Sequence, residues 1–536
     1  MTGRIGTMAT TTAPTPAWTN ERSAAGARNP WILTGVISIA TFMVVLDSTI
    51  VNVALPHIAG SLGISVRSST WILTAFLIAN AIVIPISSWL SDVIGRKRYY
   101  MLSVSLFTGA SVLCAIAPNL PMLVLFRVLQ GIGGGGLAVS EQSMLADSFP
   151  PEKRGMAFAA YAVVIVVGPI LGPTVGGFIT DTFSWHWIFL VNLPFGLLSL
   201  FLVGTIVVES PLMIRERIER LKRGLHIDLT GLVLVALGLG SLTYVLAEGQ
   251  TNDWFSDASI LSLSIIAVCS LVGLVWWELR HPQPIVRLRL LANRQFAVVI
   301  ALIFLVGLIL FGSTQIIPQM LQQIFGYTAF DAGLALSVGG LGTICMMPIA
   351  GRLAGNFDPR LLIIPAFTVI AAGLWHFTTL TTQSTFTDLA LARLFQTISL
   401  PFIFVTINTI AYVGLPPSQT SDASALLNVF RNIGGSVGIS FAQTFLATGA
   451  QTNQSLLVES VNLLNPETRN YLARAQVDGM PQTEALAVLY NELVRQATFL
   501  AYINVYQIVA AFIILVLPLC LLLRGGQKGG KALAPA

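Results

Sequence analysis

Residues 121–146 read PMLVLFRVLQGIGGGGLAVSEQSMLA, an apolar run about one bilayer long that nevertheless carries Arg127, Gln130 and Glu141. Hydrocarbon tolerates charged groups poorly, so an ionisable residue inside a membrane span indicates a functional site. In an α-helix these side chains fall near one face, with Arg127 and Glu141 roughly 21 Å apart along the axis. The stretch therefore predicts a polar pathway through a membrane protein.

The composition of the whole chain indicates the same class. Of its 536 residues, 54% are apolar and only 10% are charged, and the mean hydropathy is +0.78. Soluble domains carry about 25% charged residues, so we expect a polytopic membrane protein. The basic residues lie at the ends of apolar runs, where membrane topology requires them, and this argues against a nucleic-acid partner.

The sequence gives no sign of an enzyme centre or a cofactor. The four cysteines lie apart inside apolar runs, as small buried hydrophobes would, and predict neither a disulfide framework nor a metal site. The chain has no P-loop, which argues against direct ATP drive. We therefore expect no cofactor and no direct use of ATP.

Fourteen apolar stretches are long enough to cross a bilayer, which predicts an all-α integral membrane protein. They lie near 31–56, 70–90, 99–118, 121–146, 156–180, 186–208, 229–247, 258–280, 296–324, 330–350, 361–380, 386–413, 423–449 and 498–523. Most of the 29 Lys and Arg residues fall in alternate loops, which the positive-inside rule assigns to the cytoplasm. The even number of spans then places both termini in the cytoplasm.

A short internal repeat divides the chain into two similar halves. The sequence RVLQ at 127–130 and the sequence RLFQ at 393–396 are each followed, 23 residues after the arginine, by a pair of prolines. Parallel repeats of six spans are typical of transporters whose binding site lies between the halves. We expect five regions: a disordered cytoplasmic tail at 1–30, a six-helix bundle at 31–208, a cytoplasmic linker with a peripheral two-helix insert at 209–295, a second six-helix bundle at 296–523 with an outer loop at 450–497, and a cytoplasmic tail at 524–536.

The segment LDSTIVNVALP at 46–56 places Asp47 deep in the first span. Burial in a medium of low dielectric favours a protonated carboxyl group unless a cation compensates its charge. The directions of the spans put Asp47 and Arg127 in the outer halves of their helices, so the two can pair. We interpret Asp47 as a proton carrier; the alternative is a carboxylate that only hydrogen-bonds the nearby backbone. Glu141 is either a second proton site or a residue that caps its helix or extends to the cytoplasmic interface.

The sequence SDVIGRKR at 91–98 forms the predicted cytoplasmic turn between the second and third spans. Asp92 stands at the end of a span, where it can cap the next helix or pair with a cation, while Arg96 and Lys97 hold the loop inside. The segment predicts either a latch that changes with the transport state or a basic loop that only fixes topology.

The sequence GPILGPTVGG at 168–177 falls in the fifth span. Gly168, Gly172 and Gly176 form a strip of small residues that permits close approach of another helix. Pro169 and Pro173 bend the helix. The pattern predicts tight packing at a bend, and the spacing alone does not say whether the bend also controls the direction of exchange.

Further polar side chains in the spans predict a substrate cavity. They are six amides and one cation: Asn52, Gln130, Gln319, Gln322, Gln396, Asn428 and Arg431. Any single amide in a membrane helix is more often a helix–helix hydrogen bond than a ligand contact.

Taken together, LDSTIVNVALP, SDVIGRKR, RVLQGIGGG, GPILGPTVGG and WHWIFLVNLPFG (185–196) resemble motifs of the major facilitator superfamily. More narrowly, they are similar to its fourteen-span drug:proton antiporter branch, of the EmrB multidrug-exporter type. The resemblance covers about residues 30–523. It implies two six-helix bundles that rock around a central cavity, with inward proton flow driving outward drug movement.

The resemblance also implies roles for particular residues. Asp47 and Arg127 match the coupling positions, Asp92 and Arg96 match the gating loop, and Gly168–Pro169 matches the antiporter signature. Ser88 stands where the superfamily often has a glycine, so we expect less tight packing beside the gating loop. Members of this type often work with a periplasmic adaptor and an outer-membrane channel, and residues 450–497 would then be a docking element or, alternatively, a lid.

The sequence thus predicts a proton-coupled antiporter that exports hydrophobic or amphipathic compounds across a bacterial inner membrane. A specific metabolite exporter or an uptake symporter is the alternative within transport, and the polar residues of the spans do not separate these. A membrane sensor or a membrane enzyme is the alternative from a different class.

Overall fold

A computed structural model describes residues 29–207, 214, 217–218, 228–282, 284–416, 419–462, 464–477 and 480–523. Within these ranges the regular elements are helices, and no strand occurs. Apart from residues 29 and 30, the two predicted tails lie outside the described residues, as does most of the predicted linker at 209–227. The observed class is therefore the predicted all-α class.

Nine helices form the described part of the N-terminal half, residues 29–207. Their bounds are α1 Pro30–Leu62, α2 Val66–Ser69, α3 Trp71–Ile94, α4 Arg96–Ala115, α5 Leu120–Gly135, α6 Leu137–Ser148, α7 Pro151–Thr182, α8 His186–Leu190 and α9 Asn192–Ile206. Asparagine side chains cap the starts of α1 and α5: Asn29 accepts from Trp31 N–H and Asn119 from Met122 N–H, each at 3.0 Å. Each cap satisfies a backbone donor that has no partner within the helix.

The insert and the C-terminal half follow. The insert consists of α10 Leu229–Glu248 and α11 Ala258–Arg280. The C-terminal half comprises α12 Arg294–Gln323, α13 Ala329–Ala354, α14 Pro359–Phe377, α15 Phe386–Thr397, α16 Leu400–Ile410, α17 Thr420–Ser460, α18 Pro466–Val477 and α19 Gln482–Val516. In the described residues, short 3₁₀ helices lie at Trp254–Ser256, Leu288–Ala292 and Leu517–Leu522.

Twelve helical segments of the described chain are long and apolar enough to cross a membrane. The two predicted spans outside this set, 99–118 and 423–449, coincide with α4 and α17. α4 begins with a basic triplet at 96–98, and α17 is rich in serine, threonine and amide side chains, so both are less hydropathic than the others. The protein is a multi-pass helical membrane protein, and the count of fourteen spans stays a prediction.

The fourth span is divided into α5 and α6, which meet at Gly136. A Cβ atom at Gly131 would lie 2.6 Å from the carbonyl oxygen of Phe76 in α3, and one at Gly133 would lie 2.5 Å from the nitrogen of Phe107 in α4. Side chains cannot occupy such short distances, so the glycines allow α5 to press against both neighbours. This packing fixes the position of the polar face of α5.

The outer segment predicted at 450–497 is mostly helical. α17 continues as far as Ser460, α18 spans Pro466–Val477, and α19 already begins at Gln482. A helix of 41 residues such as α17 is about 60 Å long, whereas a bilayer with its headgroups is about 40–45 Å thick. The two long helices therefore extend beyond the thickness of a membrane.

The two helices of the insert differ in their environment. α11 is largely exposed along its length. α10 packs against α3 of the N-terminal half and also touches α17 of the C-terminal half. The predicted peripheral position thus describes α11, whereas α10 lies beside the seam between the two halves.

Candidate functional site

Asp47 of α1 and Arg127 of α5 form an ion pair inside the N-terminal half. Arg127 Nη1 lies 2.6 Å from Asp47 Oδ2, and both side chains are 0% exposed. Because a buried pair has lost the solvation of water, it depends on the hydrogen bonds around it. The structure therefore brings together the two residues that the sequence predicts to pair.

Three polar side chains from neighbouring helices surround Asp47. Gln130 Nε2 and Asn192 Nδ2 donate to Asp47 Oδ1 at 2.9 Å and 2.7 Å. The same two amides donate to the hydroxyl oxygen of Ser111 at 3.3 Å and 2.8 Å. Hydrogen bonds to an ionised acceptor are stronger than neutral ones, so α5 and α9 are both held against α1 at this carboxylate.

The guanidinium group of Arg127 is fixed on its other sides. Its Nε donates to the carbonyl oxygen of Ile72 at 3.0 Å, its Nη1 donates also to Gln130 Oε1 at 2.7 Å, and its carbon lies 4.5 Å from the centre of the Phe76 ring. Within the described residues, Arg127 Nη2 and Asn192 Oδ1 make no hydrogen bond. The pair thus keeps spare hydrogen-bonding capacity in a site that solvent does not reach.

Glu141 lies in α6 and is also 0% exposed. Thr41 of α1 donates a hydrogen bond to Glu141 Oε2, and the Thr41 hydroxyl lies 3.1 Å from the hydroxyl of Tyr161 in α7. Glu141 Oε1 has no hydrogen-bond partner among the described residues. Full burial does not fit a residue that extends to the interface, so Glu141 is an internal carboxyl group, as the alternative of a second proton site requires.

The repeated arginine–glutamine pair has the same geometry in both halves. Arg393 Nη1 donates to Gln396 Oε1 at 2.7 Å, as Arg127 does to Gln130. The partners then differ, because Arg393 Nη2 donates to the hydroxyl of Thr314 at 3.3 Å, and no carboxylate in the described chain pairs with Arg393. The C-terminal half thus holds a buried cation where the N-terminal half holds an ion pair.

Two amide side chains connect α17 of the C-terminal half to α6 of the N-terminal half. Arg431 Nη2 donates to Asn428 Oδ1 at 2.6 Å, and Asn428 Nδ2 donates to Gln142 Oε1 at 2.8 Å. Gln142 directly follows Glu141 in α6. Arg431 is therefore linked through the amides of Asn428 and Gln142 to α6, the helix that carries the buried carboxyl group of Glu141.

A second cluster joins the halves at the predicted cytoplasmic end. Arg96 forms an ion pair with Asp147 at the end of α6, and its Nη2 donates to the hydroxyl of Thr420 at 3.0 Å. The Thr420 hydroxyl donates to Asp147 Oδ2 at 3.1 Å. Because Thr420 begins α17, this network holds the C-terminal half against the gating loop. We call the contacts of Arg96, Asp147, Thr420, Ser88 and Asp422 the cytoplasmic gate.

Ser88 takes part in the gate through its side chain. It is 1% exposed and donates a hydrogen bond to Asp422 in the first turn of α17. The expectation of looser packing at this position is therefore wrong, because the serine hydroxyl replaces close glycine packing with a polar contact between the halves. These contacts join the two halves in this structure.

The structure also describes the other two predicted gating residues. Asp92 is half-buried near the end of α3, and α4 has Gly95 as its N-cap with no side-chain hydrogen bond, so Asp92 does not cap α4. Lys97 Nζ donates to the carbonyl oxygen of Gly204 at 2.8 Å. Lys97 thus ties α4 to α9 inside the N-terminal half.

The glycine strip of α7 lies against α1. A Cβ atom at Gly168 would lie 2.5 Å from Val45, and one at Gly176 would lie 3.3 Å from Ile50, while Gly172 faces Thr49. The strip with Pro169 and Pro173 therefore holds α7 directly beside the segment of α1 that carries Asp47.

The remaining predicted cavity residues differ in their burial and in their hydrogen-bond partners. Gln319 accepts a hydrogen bond from Gln443 at 3.0 Å, which joins α12 to α17. Asn52 and Gln322 are exposed and take no part in the buried networks. Gln130, Gln396, Asn428 and Arg431 do take part in them.

Several residues of the site were not predicted individually. Asn192 lies inside WHWIFLVNLPFG, where a polar residue in an apolar run was a visible signal. Asp147 and Asp422 stand at helix ends, where a carboxylate is ordinary, so their pairing across the halves had no signal in the sequence.

The helical fold, the repeated halves and the buried charges together define a polytopic membrane transporter. The profile of the Major Facilitator Superfamily matches residues 37–439, three quarters of the chain. The multidrug export protein EmrB of Haemophilus influenzae is 40% identical over 468 residues, which cover 87% of this chain and 90% of that protein. EmrB of Escherichia coli is 36% identical, over 93% of this chain and 97% of its own length.

The chain belongs to the Major Facilitator Superfamily, among its EmrB-type permeases. Solved structures agree on the fold. The proton:xylose symporter XylE superposes with a TM-score of 0.57 at 16% identity, over 91% of this chain and 96% of that one. The human organic anion transporter MFSD10 gives a TM-score of 0.58 at 13% identity, over 90% and 99%. The family membership makes the protein a transporter and not an enzyme.

Proposed function

We propose that the protein is a proton-coupled antiporter that exports hydrophobic or amphipathic drugs across a bacterial inner membrane by alternating access. The observation that carries this proposal is the fully buried Asp47–Arg127 pair with its two amide donors. The names of the EmrB relatives support drug export as the direction of transport. We further propose that both termini are cytoplasmic and that fourteen helices span the membrane.

In this proposal Asp47 alternates between an ionised state that pairs with Arg127 and a protonated state that does not. The ionised carboxylate accepts from Arg127, Gln130 and Asn192. When a proton arrives from outside and binds a carboxylate oxygen, the attraction to Arg127 is lost and the helices that met at this oxygen are held less firmly. Release of the proton to the cytoplasm restores the pair. Each proton supplies about 1.4 kcal/mol per unit of pH gradient, which sustains modest uphill transport.

Glu141 is the second carboxyl group of the proposed path. It lies roughly 21 Å from Arg127 along the helix direction, in the part of the fourth span nearer to the cytoplasmic gate. It contacts Thr41 of the helix that also carries Asp47. The substrate cavity would lie between the halves, where Asn428 contacts Gln142 of the N-terminal half and Arg431 donates to Asn428.

The test is exchange in proteoliposomes made from the purified protein. With an imposed pH gradient, addition of an exported dye such as ethidium should dissipate the gradient, and Asp47→Asn should abolish the response. Asp181→Asn is the matched control, since its side chain is 70% exposed near the outer end of α7. An Asp47→Asn variant that exchanges protons at the rate of the control would refute the proposed role of Asp47. Absence of flux with every compound of a broad panel would refute drug exchange as the function.

We also propose that the protein works with a periplasmic adaptor and an outer-membrane channel. The outward extension of α17 and α19, with α18 between them, supports a docking element. Replacement of residues 461–481 by a flexible glycine–serine linker should leave exchange in liposomes intact and remove drug resistance in cells. Retained resistance at equal expression would contradict docking at this segment, and lost exchange in liposomes would favour a lid.

A further inference from the structure

The segment that follows the insert places a cation in the cytoplasmic gate. Arg287 Nη1 lies 3.0 Å from Asp422 Oδ2, while Ser88 donates to Asp422 Oδ1. Asp422 is only 5% exposed, so its carboxylate has little contact with water. One carboxylate of the C-terminal half therefore contacts both the N-terminal half and the linker of the insert.

The neighbours of Arg287 are fixed to α11. The nitrogen of Val286 donates to Glu278 Oε1 at 3.3 Å, and Arg289 Nη2 donates to the carbonyl oxygen of Leu279 at 3.0 Å. Ile285 and Val286 are also buried in the core. The position of Arg287 is thus set by the last turn of α11.

The ends of α10 and α11 are in turn joined to each other. Asp228 caps α10 by accepting from Gly231 N–H at 2.8 Å, and the same Asp228 Oδ1 accepts from the indole N–H of Trp277 in α11 at 2.8 Å. The insert therefore behaves as one structural unit from Asp228 to Arg289.

This unit is fastened to the N-terminal half. Near the middle of α10, a Cβ atom at Gly240 would lie 3.3 Å from Ile82 of α3, which shows how closely the two helices pack. At the outer end, Arg67 Nη2 donates to Asn252 Oδ1 at 2.8 Å, and Thr74 donates to Glu248 Oε1 at 3.4 Å. These polar contacts all join the insert to the helices around the second span.

We propose that the insert moves with the N-terminal half as one body and that Arg287 is a positioning residue of the gate, which binds Asp422 across the seam. The proposal rests on the alternating-access function proposed above. When the halves separate on the cytoplasmic side, the Arg287–Asp422 pair must break. A buried carboxylate without its cation is unfavourable, so Arg287 stabilises the closed gate. The insert then has a function in the transport cycle.

The test measures distances between spin labels in the full-length protein in nanodiscs, with the four native cysteines replaced. Labels at the exposed positions Arg98, Pro282 and Asn356 report on the N-terminal half, the insert and the C-terminal half. In Arg287→Ala the longer 282–356 distance should gain about five-fold in population, while the 98–282 distance stays unchanged. Arg280→Ala is the matched control, because this exposed arginine of α11 stacks on Trp276 of the same helix, and it should leave both distances as in the wild type.

Two further variants separate the proposal from its alternatives. Arg287→Lys should restore the wild-type distances, and Asp422→Asn should reproduce Arg287→Ala with no added effect in the double variant. The proposal is overturned if Arg287→Ala matches Arg280→Ala, or if the 98–282 distance changes while the 282–356 distance stays fixed. The distance measurements do not depend on transport activity. If the wild-type protein transports nothing but Arg287→Ala shows the expected shift, the proposed function is contradicted and the role of Arg287 is not.

Discussion

Arg393 stands in the C-terminal half where Arg127 stands in the N-terminal half. Arg127 follows its helix cap Asn119 at the same spacing as Arg393 follows its cap Thr385, and both arginines donate to a glutamine oxygen at 2.7 Å. The carboxylate Asp47 pairs with the first arginine only. The two halves thus share a scaffold, and the charge pair is what distinguishes the N-terminal one.

Substitution of Arg127 should destabilise the protein more than substitution of Arg393. Arg127→Met leaves Asp47 as an unpaired buried charge, which costs about 3–5 kcal/mol, whereas Arg393→Met removes a buried cation that has no carboxylate partner. Thermal unfolding in detergent compares the two variants. The double variant Asp47→Asn with Arg127→Met should recover part of the loss, and equal destabilisation by both single substitutions would contradict the assignment.

Removal of the Asn192 amide should slow exchange. Asn192→Ala deletes one of the hydrogen bonds to the Asp47 carboxylate, and hydrogen bonds to charged groups contribute about 1.5–3 kcal/mol. We expect a fall in the exchange rate of about ten-fold or more at an unchanged apparent affinity for drug, measured in proteoliposomes. Asn52→Ala removes the exposed amide of the same α1 as Asp47 and should be neutral. Equal exchange rates in Asn192→Ala and Asn52→Ala would show that the Asn192 amide does not contribute to exchange.

Added volume at Gly131 should loosen the fourth span. Gly131→Ala places a methyl group 2.6 Å from the Phe76 carbonyl oxygen, and overpacking of this kind costs about 1–3 kcal/mol. Gly109→Ala is the matched helical control, because no atom lies within 4 Å of its added carbon. The control should keep or raise the unfolding temperature. A Gly131→Ala protein as stable as the control would show that α5 is not tightly held.

Neutralisation of Glu141 should impair uphill transport. Glu141→Gln keeps an acceptor for the Thr41 hydroxyl but carries no exchangeable charge. We expect drug accumulation driven by a pH gradient to fall by about ten-fold, while drug counterflow without a gradient continues. Glu152→Gln removes an exposed charge at the start of α7 and serves as the control. Unchanged accumulation in Glu141→Gln would leave Asp47 as the sole carrier.

The helices of the protein could be predicted well from the sequence, because the length of an apolar run is a local property of the chain. The pairing of Asp47 with Arg127 was predictable for a similar reason: two opposite charges at one depth in hydrocarbon have few other partners. The repeat at Arg393 likewise pointed to equivalent positions in the two halves.

The contacts across the halves could not be predicted in the same way. Ser88, Asp147 and Asp422 are ordinary residues at helix ends, and their roles depend on which helix end lies opposite in the folded molecule. The position of α10 beside the seam had no sequence signal either, since an apolar helix packs equally well against protein or lipid. The role of Glu141 was ambiguous, because its depth in the membrane depends on where the fourth span ends, and the sequence does not show that this span is divided into two helices.

The unbroken course of α17 has a mechanical consequence. Its first turn holds Thr420 and Asp422 in the gate, and its last turn ends at Ser460, about 60 Å away. A rigid rod of that length converts a tilt of about 10° into a sideways displacement of roughly 10 Å at its far tip. In the proposed transport cycle, a tilt of α17 would therefore displace its end at Ser460 whenever the gate opens, and a protein bound to that end would be displaced with it.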